Sequence, residues 1–527
     1  MERHGIRRFY VVGEGVFGEQ RSGAVDGKKL VSAKEADAAG GGPGATFRFS
    51  RMGPPGAAGA QLGGTTRKQL AELMTTGNKA FSRVPAGYTY LGQFIDHDLT
   101  MDATVVAMGK TESPATMLQG RSPALDLDSL YGLGPHDTDS AEFYDADLLH
   151  LKTGGTDAGP TDGFDLPRAG NTPSSARIPD RRNDENLAVA QTHCAFIRFH
   201  NRVVDTLPAN TPAAVRFMRA RKTVTRHYQW MIKTDFLPRI CDPNVVKDVF
   251  TNGRKAFEVG VPATDVPTMP IEFSIAAYRL GHSMVRQAYN WNVNFDDGAG
   301  TLDLLFFFSG TSGSLGGSSP LPFIWAADFR RLYNFGQAGR EDLVVPAAKF
   351  NRAMTIDTVL SHELATLPQE TIGNPKVPKS DPRHDLAFRN LTRAKMVNLA
   401  TGQQMVAFLK SKGVNVKALT AAQIRQGAGG ISLAGLPKRE RDAIVARTPL
   451  WFYVLREAEL NGGRLAGVGA RIVAETFHRA MEGSETSIVR DPTFKPTLGP
   501  NASTFRMADL LLFAFEGKKK LLNPNGG

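Results

Sequence analysis

Glu185–Leu207, ENLAVAQTHCAFIRFHNRVVDTL, is the stretch on which the fold class turns. Its apolar residues Leu187, Ala190, Phe196, Ile197, Val203 and Val204 recur at helical spacing. Val215, Met218, Val224, Tyr228, Met231 and Ile232 repeat that pattern across Ala213–Phe236. Asp381-Pro382 is a helix-start signal, N-cap then first turn, for the segment carrying Leu386 and Asn390. Thr401 and Gly413 bracket a further short helix. Phe9–Val12 is a brief strand candidate that does not alternate, and no internal repeat is present. The sequence predicts a mainly α fold, one large helical domain over 81–516 with little β structure. An irregular N-terminal arm over 1–80, rich in Gly, Ala and Pro from Ala33 to Gly64, precedes it, and a basic flexible tail over 517–527 follows.

Composition narrows the function classes. The 527 residues are 41% hydrophobic and 22% charged, as in ordinary globular proteins. The net charge of +11 is scattered among acids apart from runs such as Lys518–Lys520. It predicts a solvated surface that steers anions rather than a nucleic-acid stripe. Two cysteines, Cys194 and Cys241, exclude a disulfide scaffold and a Cys-built zinc or iron–sulfur site. Met1–Gly18 lacks an apolar h-region, and no run of about 18 apolar residues occurs. The expectation is a chain with no Sec signal and no membrane span, cytoplasmic by default, with export by another route left open.

Five stretches carry chemistry. In Gly87–Thr100, GYTYLGQFIDHDLT, a helix would put Gln93 and His97 on one face and turn Asp98 roughly 100° away. Ser122–Gly132, SPALDLDSLYG, sets oxygen donors at alternate positions, as a hard cation needs. Asp180–Asn186, DRRNDEN, brings Arg182 and Glu185 three residues apart. Phe273–Val285 buries His282 in an apolar helix beside Gly281, which lets something flat approach the backbone. Leu386–Arg393 supplies the Asn390 amide. Taken singly, the first four have plainer explanations: a hydrogen-bonded helical His, an Asx-type turn, a salt-bridged helix start, a satisfied core His.

In this order, with His193, Arg198, His200, Asn201, Arg202 and Arg279 between, the set resembles the animal haem peroxidase family of the peroxidase–cyclooxygenase superfamily, especially its bacterial branch. The similarity spans about Pro85 to Ala514, including Pro449–Arg456 and Gly467–Glu475. It implies a haem-peroxidase helical domain that binds haem b, reduces hydrogen peroxide and oxidises a small donor (halide, thiocyanate or phenol) through a ferryl intermediate, with a place in the response to oxidative stress. His97 is then the distal acid/base, Arg182 the stabiliser of developing charge, and Gln93 a partner for distal water or an anion. His282 is the iron ligand, with Asn390 on its other ring nitrogen and Arg279 beside the haem. Asp96 and Glu185 match positions that can form ester links to the haem; Asn186 replaces a methionine of one subgroup, so no sulfonium link is expected. Asp98, Ser122, Ala124, Asp126 and Asp128 match calcium ligands, Asp128 standing for the usual hydroxyl residue.

Two rivals remain open. A fatty-acid dioxygenase of the same superfamily carries a tyrosine three residues before the proximal His; here that position is Arg279, with Tyr278 one residue further out. A haem-free binding module would have kept only the fold. Sequence leaves the reducing substrate and the oligomeric state open.

Overall fold

The computed structural model describes residues 47–102, 110–158, 162–168, 174–367, 378 and 380–527, with a short backbone pairing of Ala24–Val25 and Lys28–Lys29. Phe9–Val12 and the Met1–Gly18 leader reading lie outside the described residues.

The expected irregular arm contains a helix, α1 (Gly64–Met74), which corrects the 1–80 boundary. Its buried face, Arg67, Leu70, Ala71 and Met74, follows helical spacing. A charged member made that face hard to read, and the Arg67 guanidinium is satisfied by the Leu62 carbonyl at 2.6 Å. Residues before it wrap the body, as Met52 and Gly53 N–H both donate to the buried Glu272 carboxylate. Strand β1 (Phe81–Pro85) then leads into α2 (Gly87–Leu99), whose start presses against Tyr333. A Cβ on Gly87 would lie 2.3 Å from that ring, so only glycine fits.

Helix α3 (Leu187–Thr206) is the Glu185–Leu207 stretch. It starts where the Asn186 side chain accepts the Val189 N–H, and it is buried on every side from Leu187 to Ile197. A helix apolar all round belongs at the centre of a large domain. It packs on α2, where the Phe94 and Phe196 rings stack at 4.4 Å. Helix α4 (Ala213–Met231) runs into a π-helical turn, Ile232–Phe236, before a last α-turn at Leu237–Ile240.

His282 does not sit in one continuous helix. The segment breaks into Ile271–Ser274, a 3₁₀ turn Ala277–Leu280 and a single turn α5 (Gly281–Met284), with Ala276 non-helical (φ −131°, ψ −76°). Arg279 Nε donates to the Ser274 carbonyl at 2.9 Å, the acceptor a continuing helix would offer to the Tyr278 N–H. Strand β2 (Arg352–Met354) pairs antiparallel with β1. Helix α6 (Leu386–Met396), which carries Asn390, is capped by Asp385, not Asp381; Asp381 caps the separate 3₁₀ turn Pro382–His384. The short helix expected between Thr401 and Gly413 is Gly402–Ser411, and Thr401 opens it with a capping box. Helices α7 (Leu450–Leu460) and α8 (Gly467–Glu482) pack together behind the His282 turns.

The tail is not a flexible one. Lys519–Leu522 forms a helical turn with Leu522 fully buried, and the Arg330 guanidinium donates to the Gly527 carbonyl. Leu522 supplies the apolar anchor that the neighbouring lysines concealed. No helix among the described residues is long and apolar enough to cross a membrane.

Candidate active site

A cavity with about 1460 Å³ of non-atom space, its mouth included, opens between α2, the Asp180–Asn186 turn and the His282 turns. His97, Gln93, Asp96, Arg182 and Glu185 line it, as do Arg279, Gly281 and His282. The two histidines proposed from sequence therefore face one space.

On the distal side, α2 presents Gln93 and His97 together, as their spacing predicts. The Gln93 amide donates to the Glu185 carboxylate and accepts from the Asn186 amide at 2.9 Å. His97 Nδ1 lies 2.9 Å from Asn183 Oδ1, and its Nε2 lies 3.7 Å from Glu185 Oε1. Burial, with the Arg182 charge nearby, pushes the His97 pKa down to about 3, so the ring is neutral at ordinary pH. Arg182 is gripped by Asp180 through Nε (3.0 Å) and Nη2 (2.7 Å) and also donates to the His97 carbonyl at 3.0 Å. Arg121 shares Asp180 at 2.9 Å. Burial alone would raise the Asp180 carboxyl, yet the two guanidiniums hold it far below the usual carboxylate range. The turn is itself pinned by the Arg168–Asp184 ion pair at 2.6 Å.

On the proximal side His282 Nδ1 meets Asn390 Nδ2 at 2.9 Å, while Asn390 Oδ1 accepts from Arg279 Nη1 at 2.9 Å. Burial, then the Arg279 charge, holds the His282 pKa well below its ordinary value. A Cβ added to Gly281 would meet no atom within 4 Å, so the backbone there borders open space. Two neutral imidazoles on one large cavity, with a glycine-floored wall and the guanidiniums of Arg182, Arg279 and Arg389 on its lining, fit a macrocycle bearing acidic side chains.

Sequence reasoning missed Asn183 and Asp180, which orient His97 and Arg182; the signal was their place beside Arg182 in one capped turn. It also set Tyr278 one residue beyond the position a dioxygenase tyrosine would hold. The broken helix turns Tyr278 onto the cavity wall, its hydroxyl 3.3 Å from the Gly92 carbonyl.

Of the calcium candidates, Asp98 reaches the loop that carries Asp126 and Asp128. Asp98, Ser122, Ala124, Asp126 and Asp128 are all buried. Burial and the neighbouring Asp128 push Asp98 up to about 8 and Asp126 up to about 6. Asp98 accepts the Leu127 and Ser129 N–H groups, and Asp126 accepts the Ser484 hydroxyl, while Arg221 acts on Asp126 and Asp128. Among the described residues no group of three or more His, Cys, Asp or Glu side chains is gathered closely enough to hold a metal as it stands. A hard dication would relieve the burial and repulsion that raise Asp98 and Asp126.

Comparisons with known proteins find peroxidases over part of the chain and a shared fold over most of it. Residues 101–307 match the family model for animal haem peroxidases. The thyroid peroxidase of Rattus norvegicus is 29% identical over 201 residues, 35% of this chain and 21% of its own length. A peroxidase-like protein of Margaritifera margaritifera is 30% identical over 115 residues, 21% of this chain and 14% of its own length. The chain thus spans a minor part of the curated relatives it matches. Among solved structures, peroxidase A from Dictyostelium discoideum superposes with a TM-score of 0.61 at 15% identity, covering 91% of this chain and 94% of that one. A fatty acid alpha-dioxygenase of Oryza sativa superposes at 0.57 with 12% identity, covering 98% and 86%. At these identities the structural likeness is one of fold.

Proposed function

We propose that the chain is a member of the animal haem peroxidase family, whose model its residues 101–307 match, and that it binds haem b, reduces hydrogen peroxide and oxidises a small donor such as a halide, thiocyanate or phenol. The observation that supports the reading is a single cavity whose lining includes His97, Arg182 and His282.

Haem, when bound, supplies the iron that receives peroxide and the electrons that cleave its O–O bond. His282 would hold the iron through Nε2. Because Asn390 presents its amide N–H group to Nδ1, the ring hydrogen sits on Nε2, and a ligand formed there would have anionic character once that proton had left to solvent. His97, neutral and buried, takes a proton from peroxide at Nε2 and returns it to the departing oxygen. Arg182, kept charged and aimed by Asp180, stabilises the negative charge that develops as the bond breaks. Gln93 and Asn186 hold the Glu185 carboxylate in place at the cavity edge. Asp96 and Glu185 line the cavity where ester links to haem would form. Calcium would take Asp98, Ser122, Ala124, Asp126 and Asp128. Since Asp98 adjoins His97, that ion would stiffen the distal helix.

The test is a haem spectrum of the reconstituted chain with peroxide titration, followed by a panel of halides, phenols and fatty acids. A Soret band that peroxide alters and a donor restores is the expected result; no Soret band refutes it. A second reading, fatty-acid dioxygenation, draws support from Tyr278 on the cavity wall. Oxygen uptake with a polyunsaturated fatty acid and no peroxide would favour it.

A further inference from the structure

Asn183 does not line the cavity, yet it is the only side chain hydrogen-bonded to His97 among the described residues. It is fully buried in the 3₁₀ turn Arg181–Asp184, its N–H donating to the Asp180 carbonyl at 3.0 Å. Its carboxamide is suspended between two imidazoles from different helices. Oδ1 lies 2.9 Å from His97 Nδ1, and Nδ2 lies 3.0 Å from His193 Nδ1. His193 has no second hydrogen bond among the described residues and stands edge-on to Phe94 at 5.6 Å.

A carboxamide is directional, because its oxygen accepts and its nitrogen donates. With the oxygen toward His97, Nδ1 must carry the single hydrogen of the neutral ring, and Nε2 keeps a lone pair. The reversed amide would put the hydrogen on Nε2 and cancel the base. We propose that Asn183, steadied by His193, is a positioning residue that fixes His97 as its Nδ1–H tautomer, so that Nε2 meets peroxide as a proton acceptor. This rests on the peroxidase reading of the cavity. The arrangement places the acceptor 86 residues from His97 in sequence, on the same turn that delivers Arg182, so base and charge stabiliser are set by one element.

The full chain carrying ¹⁵N-histidine and loaded with zinc protoporphyrin IX, which is diamagnetic, reports the tautomer directly by NMR. The expected His97 signature is a pyrrole-type Nδ1 and a pyridine-type Nε2. Asn183→Leu removes the acceptor and should mix the tautomers and slow the peroxide step of the iron-haem protein roughly 10- to 100-fold, leaving the Soret band and the KM for the donor unchanged. Asn183→Asp keeps an acceptor and should retain both tautomer and rate within a few-fold. A wild-type Nε2–H ring, or an Asn183→Leu protein with unchanged tautomer and rate, overturns the proposal. If Asn183→Leu does not fold, a tautomer switch in Asn183→Asp overturns it and a retained one supports it. A wild-type protein inert to peroxide whose His97 still shows Nδ1–H removes the peroxidase reading instead, a result distinct from the others.

Discussion

The two walls of the cavity each set one histidine against one carboxamide, and they do so in opposite senses. On the distal wall Asn183 turns its oxygen toward His97; on the proximal wall Asn390 turns its NH₂ toward His282. The proximal sense is dictated by a cation, since Arg279 Nη1 can only donate and occupies Asn390 Oδ1. The distal sense is held by a neutral histidine. Identical residue types thus face one ring with an acceptor and the other with a donor, and on the proposed reading that polarity would separate base from ligand. The supports differ too. His97 sits within a helix beside the capped, ion-paired Asp180–Asn186 turn, whereas His282 hangs from a chain of single turns backed by α7, where Trp451 Nε1 donates to the Arg279 carbonyl.

The comparison can be broken most severely at its metal end. His282→Ala is expected to abolish the Soret band, read by absorbance after haem reconstitution; a normal band would move the ligand elsewhere. His97→Ala should keep haem and slow the peroxide step by about 10²- to 10⁴-fold in stopped-flow measurements, the usual contribution of a positioned base. Arg279→Leu frees the Asn390 amide to reverse. The ligand should then lose anionic character and the iron reduction potential should rise, with affinity or activity changing roughly 10-fold or more; an unchanged potential shows that Arg279 does not set the amide.

A smaller effect probes what backs the proximal wall. Glu457 on α7 is fully buried and accepts the Val468 and Gly469 N–H groups at the start of α8. Burial pushes its pKa up to about 8, despite those two donors, from an ordinary value of 4.5. The folded state therefore binds this proton more tightly than the unfolded chain. The stability it contributes is complete below about pH 4.5 and is lost as pH rises through about 8. Thermal unfolding should show Tm falling between pH 5 and 8, and Glu457→Gln should flatten that slope. Equal slopes would mean that Glu457 is ionised when folded.

Much of this was legible in the order of residues. The long helices announced themselves through Leu187-to-Val204 and Val215-to-Ile232 spacing, because burial selects apolar side chains at the period of the helix. Gln93 and His97 were placed together by the same geometry. What escaped was set by contacts distant in sequence or by single backbone breaks. Helix α1 buries a charged arginine whose partner is a carbonyl, which no hydropathy pattern registers. Ala276 carries no turn signature, and the Arg279 side chain that replaces the helical hydrogen bond there reads as an ordinary surface cation. Asp381 looked like the cap of α6 because two caps follow one another within five positions. Asn183 needed two histidines from other helices before its part was visible.

The π-helical turn at Ile232–Phe236 carries a consequence for how such a pocket is edited. It inserts one residue into an otherwise regular helical run, and within it Asp235 swings inward to accept the Tyr88 hydroxyl at 2.6 Å, the Met507 N–H at 3.0 Å and the Arg239 guanidinium. Tyr88 is a wall residue of the cavity. Deleting a single amino acid there would straighten the rod, rotate the carboxylate by about a hundred degrees and unlatch that phenol. A one-codon change far from either imidazole would then remodel the space in which a donor molecule lodges.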